Sequence, residues 1–440
     1  MLNRIIKSIS PDGIEAQYEY DALGNIAGTT DALNNKTEFS YTTNNLLAQI
    51  RYANDASQSM GYDLAGNIIS ETYSEGFTKQ YEYDKVNRLV AVIDPMGSKT
   101  SYSYDALDNI AKVTDALKQV TSYTYDKQGN LTSETDALGN KVRYTYTLEG
   151  WLETVTKADG TVLSFEYDKT GNLLTQNLGE GQGISTEYNE IGKLTKVSGA
   201  EGTISYQYDE RGYLESVVNV NGDVVSYAYD NLGRKAGMTY PDGRTVSYTY
   251  DTMNRLISVT GLDGSITSYT YDALGRRTET KTTDTADSTL ITQYEYDSIG
   301  NLVKQATSGL TDISFAYEYN KNNYIVGETR TEDGVATTSN YAYDPLGQLT
   351  SFTKSNGYAE NYVYDAVGNM KKKVITPELT GAEVAPVTLT MSHNKANQLT
   401  VMQKGNDKIA YTYDKNGNMV KKTLNSREHG KLTDTYTYNT

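Results

Sequence analysis

The chain has 440 residues, no Cys, a formal net charge of −16 and a mean hydropathy of −0.60. Absence of Cys excludes disulfides, thiolate metal sites and Cys nucleophiles, and the acidic balance argues against nucleic-acid binding, which needs basic patches over phosphates. Forty residues are Tyr, against five Phe and one Trp; such a chain is too polar for a thick core, yet too aromatic for disorder.

The N-terminal stretch Met1-Leu2-Asn3-Arg4-Ile5-Ile6-Lys7 has no apolar run and no small-residue cleavage site, so no signal peptide is read there. No segment approaches the roughly 18 apolar residues of a spanning helix, and no membrane insertion is expected. From Tyr18 onward one pattern returns: Tyr-x-Tyr-Asp-x-x-Gly-Asn. Counted by its second aromatic, the repeat has anchors at Tyr20, Tyr41, Tyr62, Tyr83, Tyr104, Tyr125, Tyr146, Tyr167, Tyr188, Tyr208, Tyr229, Tyr250, Tyr271, Tyr296, Tyr319, Tyr343, Tyr364, His393, Tyr413 and Tyr438. The first eight intervals are 21 residues; then come 20, three of 21, and 25, 23, 24, 21, 29, 20 and 25. A fixed period of this size means an array whose units touch mainly their neighbours, which overrides the two or three domains that length alone suggests.

The unit from Tyr123 to Tyr146 shows the expected elements. Tyr123-Thr124-Tyr125 is β-prone, and Asp126-Lys127-Gln128-Gly129-Asn130 is turn chemistry, with Gly where φ is positive. Leu131 to Thr135 is a second strand, Asp136-Ala137-Leu138-Gly139-Asn140 a second turn, and Lys141 to Tyr146 the return. Turn glycines of this kind are Gly24, Gly66, Gly129, Gly139, Gly171, Gly275, Gly300, Gly368 and Gly417. Asp-Gly pairs at Asp159-Gly160, Asp242-Gly243, Asp263-Gly264 and Asp333-Gly334 are hairpin signals. Turns every ten or eleven residues leave no room for helix. The fold class is all-β: tandem two-stranded repeats of about 21 residues forming a long, coiling antiparallel sheet, a spiral or hollow shell wall. About forty strands at about 4.8 Å make a ribbon on the order of 190 Å long, and accumulated twist forbids a flat one.

The array reads as a single domain, regular over 1–271 and with longer loops and insertions over 272–440. Extra residues fall at Thr282 to Ser288, Thr307 to Asp312, Lys321 to Thr331 and Ile375 to Val387. Leu2 to Gly13 aligns with Met253 to Gly264, so the chain opens inside a unit; it closes on Tyr436-Thr437-Tyr438-Asn439-Thr440, where a turn should begin. The expectation is a segment of a larger protein, natural, excised or designed. The paired Tyr residues share one strand face and are read as cross-strand glue; an exposed aromatic platform for sugars or peptides is the other reading. Lys371-Lys372-Lys373 decorates a strand or loop.

Nothing singles out chemistry. His393 sits at an anchor position as a packed substitute for Tyr, and His429, beside Glu428, is solvated. Neither pairs at metal-ligand spacing, and no Ser-His-Asp logic is visible. Turn carboxylates such as Asp136 cap backbone, and no loop gathers the oxygens a Ca²⁺ site needs. No P-loop or dinucleotide fingerprint occurs, so no cofactor is expected and the chain is read as non-catalytic.

These units resemble the YD repeats of the RHS-repeat family. The likeness rests on Tyr-x-Tyr-Asp-x-x-Gly-Asn-Leu at Tyr123 to Leu131 and Tyr294 to Leu302, on Phe165 to Leu173, and on a Tyr-Asp-x-x-x-Arg-Leu variant at Tyr83 to Leu89 and Tyr250 to Leu256. The family includes bacterial polymorphic toxins, toxin-complex subunits and teneurins. The resemblance implies a β-spiral enclosing a hollow shell, which in the toxins holds a C-terminal effector. It also implies a secreted or cell-surface setting, with flanking regions of the same polypeptide as partners. The toxins' Arg-Tyr-Tyr-Asp-Pro and Asp-Pro-x-Gly-Leu motifs do not occur; Asp344-Pro345-Leu346-Gly347 is followed by Gln348 and reads as an ordinary turn. The first functional expectation is a structural shell region that encapsulates or presents another part of its parent. The alternative is an extracellular adhesion or carbohydrate-binding surface, with a glycan or cell-surface receptor as partner.

Overall fold

The computed structural model describes residues 4–10, 13–179, 182–309, 312–378 and 385–438. The expectations placed on Met1–Asn3, Pro11–Asp12, Leu310–Thr311, Asn439–Thr440 and residues 379–384 of the Ile375 to Val387 insertion lie outside these residues. Every regular element among those described is a strand, and forty strands belong to one antiparallel sheet. In the unit chosen above, the strands are Val120–Tyr125, Leu131–Thr135 and Lys141–Tyr146.

Two kinds of hairpin alternate. In the first, the strand ending at the anchor pairs with the next strand in register Tyr123↔Glu134 and Thr124↔Ser133, then slips to Tyr125↔Leu131. That slip is a β-bulge. In the second, the return pairing Ser133↔Arg143, Glu134↔Val142, Thr135↔Lys141 has none. The same contrast holds at both ends of the array, with a slip between Glu19 and Tyr20 and another between Thr412 and Tyr413. A bulge bends its strand and increases local twist. One bulge in every second hairpin, always beside the anchor, bends the ribbon repeatedly in one sense.

The sheet is one layer thick. Among the described residues only Ala56 (3% exposed) and Ala91 (1% exposed) are buried apolar side chains, and no large side chain is fully buried. The accessible surface is 26508 Å², against about 16,600 Å² for a compact monomer of this mass.

The array divides into two compact units. One comprises Met1–Lys99, Val246–Tyr362 and Val374–Pro386; the other comprises Thr100–Thr245, Val363–Lys373 and Val387–Thr440. In the first, the Asn322 amide donates to Glu75 Oε2 at 3.2 Å across 247 residues. In the second, the Asp159 N–H donates to Asn416 Oδ1 at 3.3 Å, and Asn416 Nδ2 donates to Asp159 Oδ2 at 2.6 Å, across 257 residues. Each unit therefore brings the ribbon back beside itself, which only a coiling sheet does. Asn322 and Asn416 lie in first turns and Glu75 and Asp159 in second turns, so opposite rims of the ribbon meet.

The extra residues after Tyr271 enter strands as well as turns. Arg277–Thr283 and Thr289–Tyr296 have seven and eight residues, Ile325–Glu332 and Val335–Tyr343 eight and nine, where Leu131–Thr135 and Lys141–Tyr146 have five and six. Partners lengthen together, because an unpaired extension would leave main-chain groups without hydrogen bonds. Asp333 (φ 47°) and Gly334 (φ 80°) form a two-residue turn closing the pair Glu332↔Val335.

Candidate functional site

The nineteen anchors from Tyr20 to Tyr413, His393 included, each end a strand, and Tyr438 lies just beyond the last one. What the anchor tyrosines do is visible at their hydroxyls. Tyr146 Oη donates to the Leu131 carbonyl at 2.9 Å, Tyr125 to Ile110 at 3.0 Å, Tyr167 to Leu152 at 2.9 Å and Tyr62 to Leu47 at 2.7 Å. In these four the acceptor is the first residue of the preceding unit's second strand. Leu131 lies beyond the last return pair, Ser133↔Arg143, so its carbonyl is met by a side chain rather than by the ladder. The same staple survives in longer units, as in Tyr296 to Arg277 at 2.8 Å and Tyr319 to Leu302 at 2.8 Å. Desolvation pushes the phenols of Tyr83, Tyr125, Tyr146, Tyr319 and Tyr413 above the ordinary tyrosine value.

The turn after most anchors closes on a leading carboxylate; Thr42, Thr147, Asn189, Asn320 and Asn394 take that place in the others. Asp126 Oδ1 accepts from the N–H of Gln128 and of Asn130, both at 2.9 Å, and Asn130 Nδ2 donates to Asp126 Oδ2 at 2.9 Å. Gly129, at φ 88°, takes the left-handed conformation this turn requires. The other eight expected turn glycines are also at positive φ: Gly24, Gly66, Gly139, Gly171, Gly275, Gly300, Gly368 and Gly417. The Asn side-chain hydrogen bond holds Asp21, Asp63, Asp105 and Asp126 below the ordinary carboxylate value; at Asp168 the Thr170 hydroxyl is the first cause and Asn172 the second. Where Arg replaces Asn, the guanidinium keeps the bond and adds a contact. Arg276 Nε is 2.7 Å from Asp272 Oδ2, and its guanidinium carbon lies 4.7 Å from the centroid of the Tyr296 ring. Neighbouring first turns are also joined directly: Asn67 Nδ2 donates to Asn87 Oδ1 at 3.0 Å and Asn369 Nδ2 to Asn397 Oδ1 at 2.9 Å.

The pairing register separates the two sheet faces by chemistry. On one, Tyr144, Val155 and Leu163 lie opposite one another, as do Tyr206, Val217 and Val225. On the other, the corresponding rows are Thr145, Thr154, Ser164 and Gln207, Ser216, Ser226. The first face is a file of rings and aliphatic side chains, half-buried at each of these positions. The second is hydroxyl-rich and carries exposed ion pairs such as Lys196–Glu187 at 2.9 Å and Lys304–Glu295 at 2.9 Å, which add little stability.

His393 ends the strand Val387–His393 and is half-buried. His429 is 59% exposed, with Nε2 3.8 Å from Glu428 Oε2. Asp344 forms an ordinary first turn: its Oδ1 accepts from Leu346 N at 2.9 Å and Gln348 N at 3.0 Å, and Gly347 sits at φ 78°. Among the described residues, no group of three or more His, Asp and Glu is placed to hold a metal ion, and no helix is long and apolar enough to cross a membrane.

The RHS Repeat family model matches residues 83–120, 106–141, 125–162 and 250–289, and the Teneurin YD-shell model matches residues 176–269. The chain therefore carries RHS/YD-type repeats. No curated protein matches the sequence significantly. Among solved structures, the chain is similar to a Photorhabdus luminescens Tc holotoxin pore carrying a TccC3 mutation, at 14% identity and TM-score 0.69, over 93% of this chain and 27% of that one. It is also similar to the crystal structure of TcdB2-TccC3-Cdc42, at 14% identity and TM-score 0.70, over 97% and 26%. A third, TcdB2-TccC3-TEV, gives 14% identity and TM-score 0.60, over 98% and 31%. The chain spans about a quarter to a third of the length of these toxin chains. At such identity the likeness is one of fold.

Proposed function

We propose that this RHS/YD-type array is the wall of a β-shell that encloses another part of its parent polypeptide, and that it has no catalytic role of its own. The observation that carries the reading is the file of half-buried rings and aliphatic side chains along one face of a single-layer sheet. An apolar face of that extent on a soluble body marks a surface meant to be covered. The opposite face, with its hydroxyls and ion pairs, suits water. The tyrosine face would line the enclosure and meet the enclosed segment, and the polar face would look outward. The likeness to Tc toxin assemblies supports a secreted or extracellular setting and a partner within the same polypeptide, as a toxin effector would be.

Digestion of the intact parent polypeptide with a protease tests this. Residues outside the array should survive digestion in the parent and be degraded when produced alone. Equal digestion in both would overturn the reading.

A further inference from the structure

The polar face changes its charge within the unit that comprises Thr100–Thr245, Val363–Lys373 and Val387–Thr440. Residues 370–440 hold eleven Lys and Arg against six Asp and Glu, in a chain whose net charge is −16. Five paired strands lie in this stretch: Val387–His393, Leu399–Lys404, Asp407–Tyr413, Met419–Ser426 and Gly430–Thr435.

The pairing register sorts their charges. Tyr411 lies opposite Lys422, and Lys422 opposite Asp434, so that acid and base share the tyrosine face. Asp407 alternates onto the same face through Ile409 and Tyr411. On the other face, Lys408 and Lys431 flank Asn425 in one cross-strand row, and Lys421 lies between Thr412 and Thr435 in another. Among the described residues of these five strands, no carboxylate lies on that face. Lys408, Lys421 and Lys431 are exposed, and none of them joins an ion pair among the described residues. Lys415 and Arg427, in the turns at either end of Met419–Ser426, are exposed as well.

Other stretches of this face carry their own counter-charges. Glu187 lies opposite Lys196 and Glu295 opposite Lys304, each pair at 2.9 Å, and Lys99 reaches Glu82 at 2.7 Å. Lys112 lacks such a partner but is alone in its row, between Ser103 and Ser122. Lys421 keeps the register of Lys196 and Lys304, with Thr412 where their glutamates stand. Free ammonium groups on three adjacent strands form a cluster that pairing within the sheet does not account for.

We propose that this face is a docking surface for an anionic lipid bilayer, held by phosphate headgroups without insertion of the chain. Lysine is a flexible point charge that meets phosphates spread over a plane, and each one near such a surface is worth about fivefold in partition. Screening over about 8 Å at physiological salt limits repulsion from the acidic remainder of the chain. A nucleic acid is the poorer fit. This face offers no ring on which a base could stack, no helix to enter a groove and no Arg for bidentate contacts. The face is exposed whether or not the array encloses a segment, so this proposal and the enclosure reading can fail separately.

The test is co-sedimentation of the full 440-residue chain with vesicles of phosphatidylglycerol and phosphatidylcholine in equal parts, and with vesicles of phosphatidylcholine alone. The mixed vesicles should carry the chain down at about 0.1 M salt and release it at about 0.5 M; the neutral vesicles should not bind it. Lys408→Glu/Lys421→Glu/Lys431→Glu should melt as the parent does and bind about tenfold more weakly or worse. Lys421→Gln alone should weaken binding about fivefold. Lys99→Glu/Lys196→Glu/Lys304→Glu makes the same change in net charge elsewhere on the polar face and should bind as the parent does. The proposal is overturned if the mixed vesicles do not bind, whether or not a DNA duplex does, or if the two triple variants lose binding equally.

Discussion

The two rims of the ribbon are built from nearly the same residues and obey different rules. Along the first-turn rim, the strand that follows begins six residues after the anchor from one end of the array to the other: Tyr20 to Ile26, Tyr125 to Leu131, Tyr296 to Leu302, and His393 to Leu399 inside the longest unit. Along the second-turn rim the spacing drifts, from Thr135 and Lys141 to Glu332 and Val335. The first rim holds the bulge, the carboxylate cap and the tyrosine staple, and all three depend on that spacing. The second holds at most a cap. Variation in a repeat array therefore collects where fewest bonds depend on length.

Titration sharpens the contrast most. The staple needs a phenol that donates, and the Tyr125 and Tyr146 phenols are raised by desolvation. A group whose folded value exceeds its unfolded value stabilises fully below the unfolded value, about 10 for Tyr, and ceases to do so as pH rises through the folded one. Alkali should thus open the first-turn rim at anchors whose phenols are so raised, among them Tyr83, Tyr125, Tyr146, Tyr319 and Tyr413. Circular dichroism and phenolate absorbance followed from neutral pH upward should change together, above the ordinary tyrosine value; early ionisation with the sheet intact would remove the staple from the account. Acid acts in the opposite sense. The folded values of Asp21, Asp63 and Asp126 are depressed, so their contribution is present above about pH 4 and lost as pH falls through their folded values. Hydrogen exchange at low pH should open these first turns early.

A length change made at each rim tests the comparison directly. Two residues inserted between Gln128 and Gly129 would displace cap, bulge and staple together and should cost about 3 kcal/mol or more. The same two inserted between Leu138 and Gly139 should cost about 1 kcal/mol or less, since loop closure depends weakly on length. Urea midpoints, with hydrogen exchange reporting on each unit, would measure both. Equal losses would mean that the rims do not differ.

The strands, both turns and the phase of the array were legible in the sequence, because each rests on neighbours within about ten residues: Asp126 with Gly129 and Asn130, Tyr123 with Tyr125. The coiling followed from strand number and twist alone. The bulge was not legible. It is a slip of one residue between Tyr125 and Leu131, and alternation along a single strand does not register the partner's shift. Nor was the difference between the faces, since Tyr144, Val155 and Leu163 come together only once the pairing is known. The contacts of Glu75 with Asn322 and of Asp159 with Asn416 had no local signal, because residues some 250 positions apart share no pattern.

The preference for Tyr over Phe offers the finest test, because the two tyrosines of each pair answer differently. The first position accepts Phe39, Met60, Phe165, Thr186 and Met391 within this chain; the anchor accepts Tyr and, once, His393. Packing alone does not explain that, since Phe packs as well as Tyr. The hydroxyl bond does. Tyr125→Phe leaves the Ile110 carbonyl without its 3.0 Å donor and should cost about 1 kcal/mol. Tyr123→Phe installs what Phe165 already is two units on and should change stability by less than about 0.5 kcal/mol. Hydrogen exchange should show the first loss confined to the units that Tyr125 and Ile110 join, because the array is quasi-linear. If both substitutions cost the same, the anchor is chosen for ring packing and the staple is incidental. If only Tyr125→Phe is costly, the hydroxyl is why the anchor position holds tyrosine rather than phenylalanine.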